Sequence, residues 1–349
     1  MNDPNEVRLT QYSRGSGCGC KISPATLREI LQNTEVLPTD PRLLVGNESH
    51  DDASVFQLNG DKCLVSTTDF FMPVVDNAYQ FGKIAAANAL SDIYAMGGFP
   101  LTALAILGWP VDRLPASLAR QVLEGARFTC RMAGITLAGG HSINSVEPIF
   151  GLAANGFVNS QNLKRNNTAN AGDLLYLTKP LGFGIITTAH KRGVVREADF
   201  EAALSQMYAL NKAGTALGTL PGITALTDVT GFGLIGHLIE MCDGGRLSAT
   251  LNFQSIPVLS GLAYYTEQMI YPDMTMKNFA AFSASCNTLS AQQLYSLCDP
   301  QTSGGLLVAV KPDSVDEYLK IVSEFGLQGI GDKCIGEFTT NRDKTIEVV

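Results

Sequence analysis

Apolar and polar positions fall into short blocks along the chain, and each block predicts one element. "KCLVSTTD" is an apolar run that reads as a buried strand ending in Asp69. "FGKIAAANALSDIYAMGG" is long, mostly apolar and closed by Gly97 and Gly98, so it predicts a helix. "LTALAILGW" predicts a strand and "ASLARQVLEGARFTCRMAG" a helix capped by Gly134. "ITLAGGHS" reads as a strand running into a Gly-Gly turn, and "PIFGLAANGFV" as another strand. "NSQNLKRNNTANAGD" is polar, rich in Asn and without an apolar period, which marks a domain boundary. Beyond it, "LLYLTKP" predicts a strand and "EAALSQMYALNKAGTALG" a single helix. "ITALTDVTGFGLIGHLIEMC" predicts strand, turn and helix. "SGGLLVAV", "SVDEYLKIVSEFG" and "KTIEVV" predict strand, helix and a last strand. Residues 1–20 are polar, Gly-rich and aperiodic, the pattern of a mobile arm, and "ATLREILQN" after Pro24 predicts a short helix.

Mixed strands and helices in both halves imply an α/β or α+β protein. The expected division is an arm and lead-in over 1–48, an N-terminal domain over 49–160 and a C-terminal domain over 170–349. A length of 349 residues supports two domains. Composition changes this picture little: 45% hydrophobic and 17% charged residues describe a folded, loop-rich chain. A formal net charge of -8 argues against a broad nucleic-acid surface, though not against a local phosphate site. No signal pattern or bilayer-spanning run is evident, and the eight cysteines are scattered. Those features together point to a reducing, cytoplasmic setting without membrane or direct nucleic-acid partners.

Three sets of residues could carry chemistry. Asp51 and Asp52 follow a polar turn, Asp69 and Asp228 end predicted strands, and Asp92 interrupts an apolar helix. Taken singly, each aspartate is more readily a cap of a helix or turn. Converging, they would bind a hard cation such as Mg²⁺ together with nucleotide phosphates. Asn88 and Asp92 are four apart and share one helical face. The glycine turns "AGGHS", "TGFGLIGH" and "TSGGLL" would allow close approach of backbone N–H groups to phosphate. Finally, Cys18 and Cys20 form C-x-C with Lys21 three residues after Cys18. A nearby ammonium favours thiolate, the reactive form. Among the histidines, His141 is the better site candidate, His50 could line a site, His237 reads as core and His190 as surface.

These residues sit in longer strings: "LTQYSRGSGCGCKISP", "LLVGNESHDDASVF", "STTDFFMPVVDN", "ANALSDIYAMGG", "LAGGHSI", "LTDVTGFGLIGHLIEMC" and "LCDPQTSGGLL". Together they resemble the bacterial selenophosphate synthetase family, within the wider aminoimidazole-ribonucleotide-synthetase-like superfamily. The resemblance implies that two subunits join their N-terminal sheets into a dimeric barrel, with a C-terminal α/β domain packed on each. It implies ATP and Mg²⁺ as cofactors, selenide as co-substrate, and selenophosphate, AMP and phosphate as products. The selenophosphate would serve selenocysteine and selenouridine in tRNA, and a selenium-delivery protein is a candidate partner. By position, Cys18 and Lys21 match the catalytic pair. Asp52, Asp69, Asp92 and Asp228 match the metal aspartates. Lys21, Asn47, Glu48, Ser49, His50, Asp51, Asp69, Asp92, Gly140, His141 and Ser142 match nucleotide-contacting positions. Two departures stand out. Arg14 replaces a frequent His, and "YPDMTMKNF" at 271–279 replaces a Gly-Gly-Thr-x-x-Asn loop while keeping Thr275 and Asn278.

Overall fold

The computed structural model describes residues 7–13, 15, 17, 22, 26, 29–30, 40–46 and 51–349. The expected short helix over 25–33 falls mostly outside them, as do Arg14, Cys18, Cys20, Lys21 and 47–50.

Two six-stranded sheets organise the chain. The first contains β1 (Leu43–Val45), β2 (Ser54–Asn59), β3 (Lys62–Phe71), β4 (Phe99–Trp109), β5 (Thr136–Asn144) and β6 (Ile149–Asn159), in the order β1-β2-β3-β6-β4-β5. Only the β4–β5 pair is parallel. Helices α1 (Ala78–Ala95) and α2 (Ala116–Met132) pack against this sheet. The Asn77 side chain accepts from the Gln80 N–H at 3.0 Å to start α1, and Gly97 at φ 73° ends it. Nearly every residue of α1 is buried, as its all-round apolar sequence requires. By contrast α2 buries one stripe, Ala119, Val122, Ala126 and Cys130, spaced for a single helical face.

The second sheet contains β7 (Leu174–Leu177), β8 (Ile223–Asp228), β9 (Leu247–Leu251), β10 (Leu306–Val310), β11 (Cys334–Thr340) and β12 (Ile346–Val348). Its order is β12-β9-β11-β7-β10-β8. The C-terminal half also carries α3 (Phe183–Lys191), α4 (Glu197–Tyr208), α5 (Ala213–Gly218), α6 (Gly233–Gly245), α7 (Leu262–Thr266), α8 (Asp273–Phe282), α9 (Ala291–Leu297) and α10 (Val315–Glu324), of which α3, α4 and α7 bury residues in the core of the first sheet and α1. β10 is buried at every position, the signature of a central strand.

Three expectations change, and the conformation of 271–279, which the sequence left open, is settled. β3 continues to Phe71 beyond Asp69. Residues 138–142 lie within β5, not in a turn. A Cβ on Gly140 would stand 2.2 Å from the Ala105 carbonyl oxygen, so glycine here permits close strand pairing instead of reversal. The single helix expected over 201–218 is two, α4 and α5, broken where Ala209 turns extended. Residues 273–279 are helical, because Pro272 and Asp273 supply a helix start in place of glycines.

The domains meet along α1. Asn211 Nδ2 donates to Ser91 Oγ at 2.7 Å and Thr215 Oγ1 to the Gly98 carbonyl at 2.5 Å. The polar boundary stretch is itself packed. Lys164 is buried with its Nζ donating to the Leu220 and Ile223 carbonyls at 2.8 and 2.9 Å.

Candidate active site

The aspartates gather at this domain junction. Asp51 and Asp52 enter it just ahead of β2, and both are tied to the other half of the chain. Asp51 Oδ1 accepts from the Asn166 N–H at 2.8 Å, and Asp52 Oδ1 from Thr227 Oγ1 at 2.9 Å. Asp228 follows Thr227 at the end of β8. Asp92 projects from α1 and accepts from Thr67 Oγ1 of β3. Burial pushes the Asp52 carboxyl well above the ordinary carboxylate range. The negative charges of Asp228, Asp92 and Asp51 push it further, while the Thr227 hydroxyl pulls it back. Four carboxylates from two domains therefore share one electrostatic neighbourhood.

Asp69 is held one helical turn away from Asp92. Asn88 Nδ2 donates to Asp69 Oδ2 at 2.6 Å, and Asn88 Oδ1 accepts from the Ser303 N–H at 2.7 Å. The i,i+4 spacing read from the sequence thus places Asn88 and Asp92 side by side over β3. Ser303 has φ 57°, an uncommon backbone state for a non-glycine residue. Its carbonyl accepts from Lys179 Nζ at 2.8 Å, and the same ammonium reaches the Ala209 carbonyl at 2.7 Å. Burial pushes the Lys179 pKa down to about 7, against the opposing pull of Asp228.

Gly140, His141 and Ser142 lie elsewhere. Register runs Asp69–Leu152–Ala105–Gly140 straight across the sheet. Three strand spacings, about 14 Å, therefore separate Gly140 from Asp69 within one chain. These residues line an open pocket of about 230 Å³ with Leu107, Leu123 and Arg127, on the exposed edge strand. Cys18, Lys21, Asn47, Glu48, Ser49 and His50 are outside the described residues, but Gly17 is within them. Its N–H donates to the Met72 carbonyl at 3.2 Å.

Sequence reading missed Thr67, Asn166, Thr227, Lys179 and Ser303. Each is polar and buried or half-buried at the junction, and only their neighbours carried a visible motif. His237 is buried as expected, and its Nε2 accepts from the Thr230 N–H at 3.1 Å, bracing the turn after Asp228. His190 is not surface: it stacks on Phe200 at 4.0 Å, with Nε2 3.2 Å from Asp76.

The donor set suits a hard divalent cation. It consists of carboxylate oxygens, and the buried Asp52 Oδ2 has no hydrogen-bond donor among the described residues. Among the described residues no three His, Cys, Asp or Glu side chains form a ready-made cation shell. Mg²⁺ does not demand one, because it usually keeps waters and phosphate oxygens beside one or two carboxylates.

Residues 50–158 match the family model described as AIR synthase related protein, N-terminal domain, and residues 170–348 the corresponding C-terminal domain. The chain is 51% identical over 349 residues to a selenide, water dikinase of Pseudomonas putida, covering 100% of both chains. It is 53% identical to one of Bordetella bronchiseptica, again over 100% of both.

The chain belongs to the selenide, water dikinase family.

Its fold is also that of a thiamine-monophosphate kinase from Stenotrophomonas maltophilia, with a TM-score of 0.64, 18% identity and 93% of each chain covered. At that identity the likeness is one of fold. The selenide, water dikinase family thus shares a two-domain frame with a kinase of different named substrate.

Proposed function

We propose that this protein is itself a selenide, water dikinase, converting ATP, selenide and water into selenophosphate, AMP and phosphate. The observation that carries the reading is the meeting of Asp51, Asp52 and Asp92 with Asp228 across two domains. It occurs in a chain about half identical, end to end, to proteins of that name. The product is a selenium donor for selenocysteine and for selenouridine in tRNA.

Asp52, Asp69, Asp92 and Asp228 would hold Mg²⁺, which when bound offsets phosphate charge and stabilises the transferring phosphoryl group. Thr67, Thr227 and Asn88 orient three of those carboxylates by donating to them. Cys18 is assigned to selenide handling as a thiolate, and Lys21 to the phosphates. Asn47–Asp51 are assigned by position to the phosphate end, and 49–160 to the nucleotide-binding half. The γ-phosphoryl passes to selenide, and the remaining ADP is hydrolysed in place to AMP and phosphate. The junction between the domains, where Asp51, Asp52, Asp92 and Asp228 meet, is where we place ADP for that second cleavage.

Gly140, His141 and Ser142 are assigned to the nucleotide as part of a homodimer. Two features favour pairing of the N-terminal sheets: β5 is an exposed edge, and the sheet face opposite the helices presents Phe70, Leu104 and Ile143 at 50%, 44% and 60% exposure. A cytoplasmic setting is consistent with six free cysteines among the described residues. No helix among them is long and apolar enough to cross a membrane. A selenium-delivery protein is a candidate partner for supplying the selenide.

The test is anaerobic phosphorus NMR with MgATP, with and without selenide, beside Cys18→Ala. Selenide-dependent selenophosphate and AMP, lost in the variant, is the expected result. ATP cleavage indifferent to selenide and to the substitution overturns the reading.

A further inference from the structure

The cluster around Asp76 lies outside the aspartate site and joins three separate parts of the chain. From the N-terminal segment, Arg8 Nε donates to Asp76 Oδ2 at 2.7 Å, and both the N–H and the hydroxyl of Thr10 donate to Oδ1. From the C-terminal domain, His190 Nε2 stands 3.2 Å from Oδ2. Asp76 itself belongs to the N-terminal domain, between β3 and α1. Burial opposes ionisation of Asp76, but the bonds from His190, Thr10 and Arg8 outweigh it and hold the carboxyl well below the ordinary range.

The end of α3 adds a second tier of contacts. Arg8 Nη2 donates to the His190 and Lys191 carbonyls at 3.0 and 3.4 Å, and Gln11 Nε2 to the Lys191 carbonyl at 3.1 Å. A cation at a helix C-terminus also gains from the helix dipole. In the opposite direction, Lys191 Nζ donates to the Ser13 and Gly15 carbonyls at 2.8 and 3.0 Å. These charge-assisted bonds are stronger than neutral ones.

Two residues further on, Gly17 is wedged at the domain junction. Its φ is 52°, and a Cβ there would lie 2.3 Å from Thr302 Oγ1 and 3.1 Å from Val74 Cγ2. Thr302 precedes Ser303, whose N–H holds Asn88, which in turn holds Asp69. Cys18 is the next residue after Gly17 in the chain.

We infer that Asp76, Arg8 and Lys191 form a latch that fixes the root of the N-terminal segment to both domains and so sets the position of Gly17, the residue before Cys18 in sequence. They are positioning residues for the proposed reaction, and the inference rests on that reading. A plain fold-stabilising role would predict effects on melting alone. A latch predicts local release of residues 8–17 with both domains intact.

In sequence, the bond after Arg14 falls between Ser13 and Gly15, whose carbonyls Lys191 holds, which provides a readout independent of activity. Limited trypsin digestion of the full-length protein, followed by intact mass, measures cleavage there. Lys191→Met is expected to speed that cleavage about tenfold. Selenide-dependent kcat should fall by about the same factor, with the KM for ATP and the Tm little changed. Lys191→Arg should restore both. Arg8→Gln, made outside both domain cores, should repeat the pattern even if Lys191→Met melts early. Unchanged cleavage in both variants overturns the latch whatever the activity. Faster cleavage with unchanged kcat overturns the positioning role. A wild-type protein that makes no selenophosphate defeats the functional reading instead, while the cleavage rates still report on the latch.

Discussion

Asp52 is costly for the fold, and on the proposed reading that cost is kept because its carboxylate serves the metal. Its buried carboxyl faces Asp228, Asp92 and Asp51, and among the described residues the Thr227 hydroxyl is what relieves it. Its folded pKa is raised, so its contribution to stability is complete below the unfolded carboxylate value and is lost as pH rises through the folded one. Without MgATP the protein should therefore lose Tm as pH rises from about 4 toward neutrality. Asp52→Asn should flatten that decline and melt higher at pH 7, because a neutral amide removes a buried like charge. The same substitution should cut selenophosphate formation about a hundredfold or more, since transition-state charge compensation is lost. Scanning calorimetry over a pH series and a phosphate-release assay check the two halves. A lower neutral-pH Tm for the variant would show that the carboxylates do not repel as described. Asp52, Asp92 and Asn88 were legible in the sequence as polar positions in turn or apolar contexts. Thr227 and Asn166 were not, because a Thr in a strand and an Asn in a polar stretch are ordinary in any sequence.

The helix that carries Asn88 and Asp92 depends on its neighbour. α1 and α2 cross at backbone contact: a Cβ on Gly82 would stand 1.9 Å from the Val122 carbonyl oxygen, and one on Gly125 2.0 Å from that of Tyr79. Both obstacles are backbone, so neither can swing aside. Gly125→Ala gains about 1 kcal/mol of helix propensity. Overpacking at a rigid contact costs about 1–3 kcal/mol, and we expect the cost to win. Thermal or urea melting should show net destabilisation; a stabilised variant would mean that the two helices part freely. Periodicity predicted both helices because their apolar pattern is long and bounded by glycines. It failed at β5, where two glycines resembled a turn but serve close pairing with β4. A glycine pair carries the same signal in either setting, and only the partner strand distinguishes them.

At the level of the assembly, the edge and open face of the N-terminal sheet matter most. Leu104, Ile143 and Phe70 are exposed on a surface with no cover among the described residues of the same chain. If that face pairs with a second copy, Ile143→Asp should convert a dimer into a monomer in analytical ultracentrifugation. Selenophosphate formation should fall with it, because Gly140–Ser142 lie about 14 Å from Asp69 within one chain. A variant that stays dimeric and active would remove β5 from the interface and from the site.

The mixed α/β character and most of the long helices and strands could be read from local pattern, since burial on one or all faces leaves a periodic trace in the chain. The aspartates and the Cys18–Lys21 pair could be named there too, because their chemistry and spacing are local. What the order of residues does not carry is which distant polar groups meet. Asp52 finds Thr227 across 175 positions, Asn88 finds Ser303 across 215, and Arg8 reaches the end of α3 across 182. Those meetings follow from packing two sheets against a shared buried helix, and the cost of burying polar groups unpaired selects the partners once the domains close.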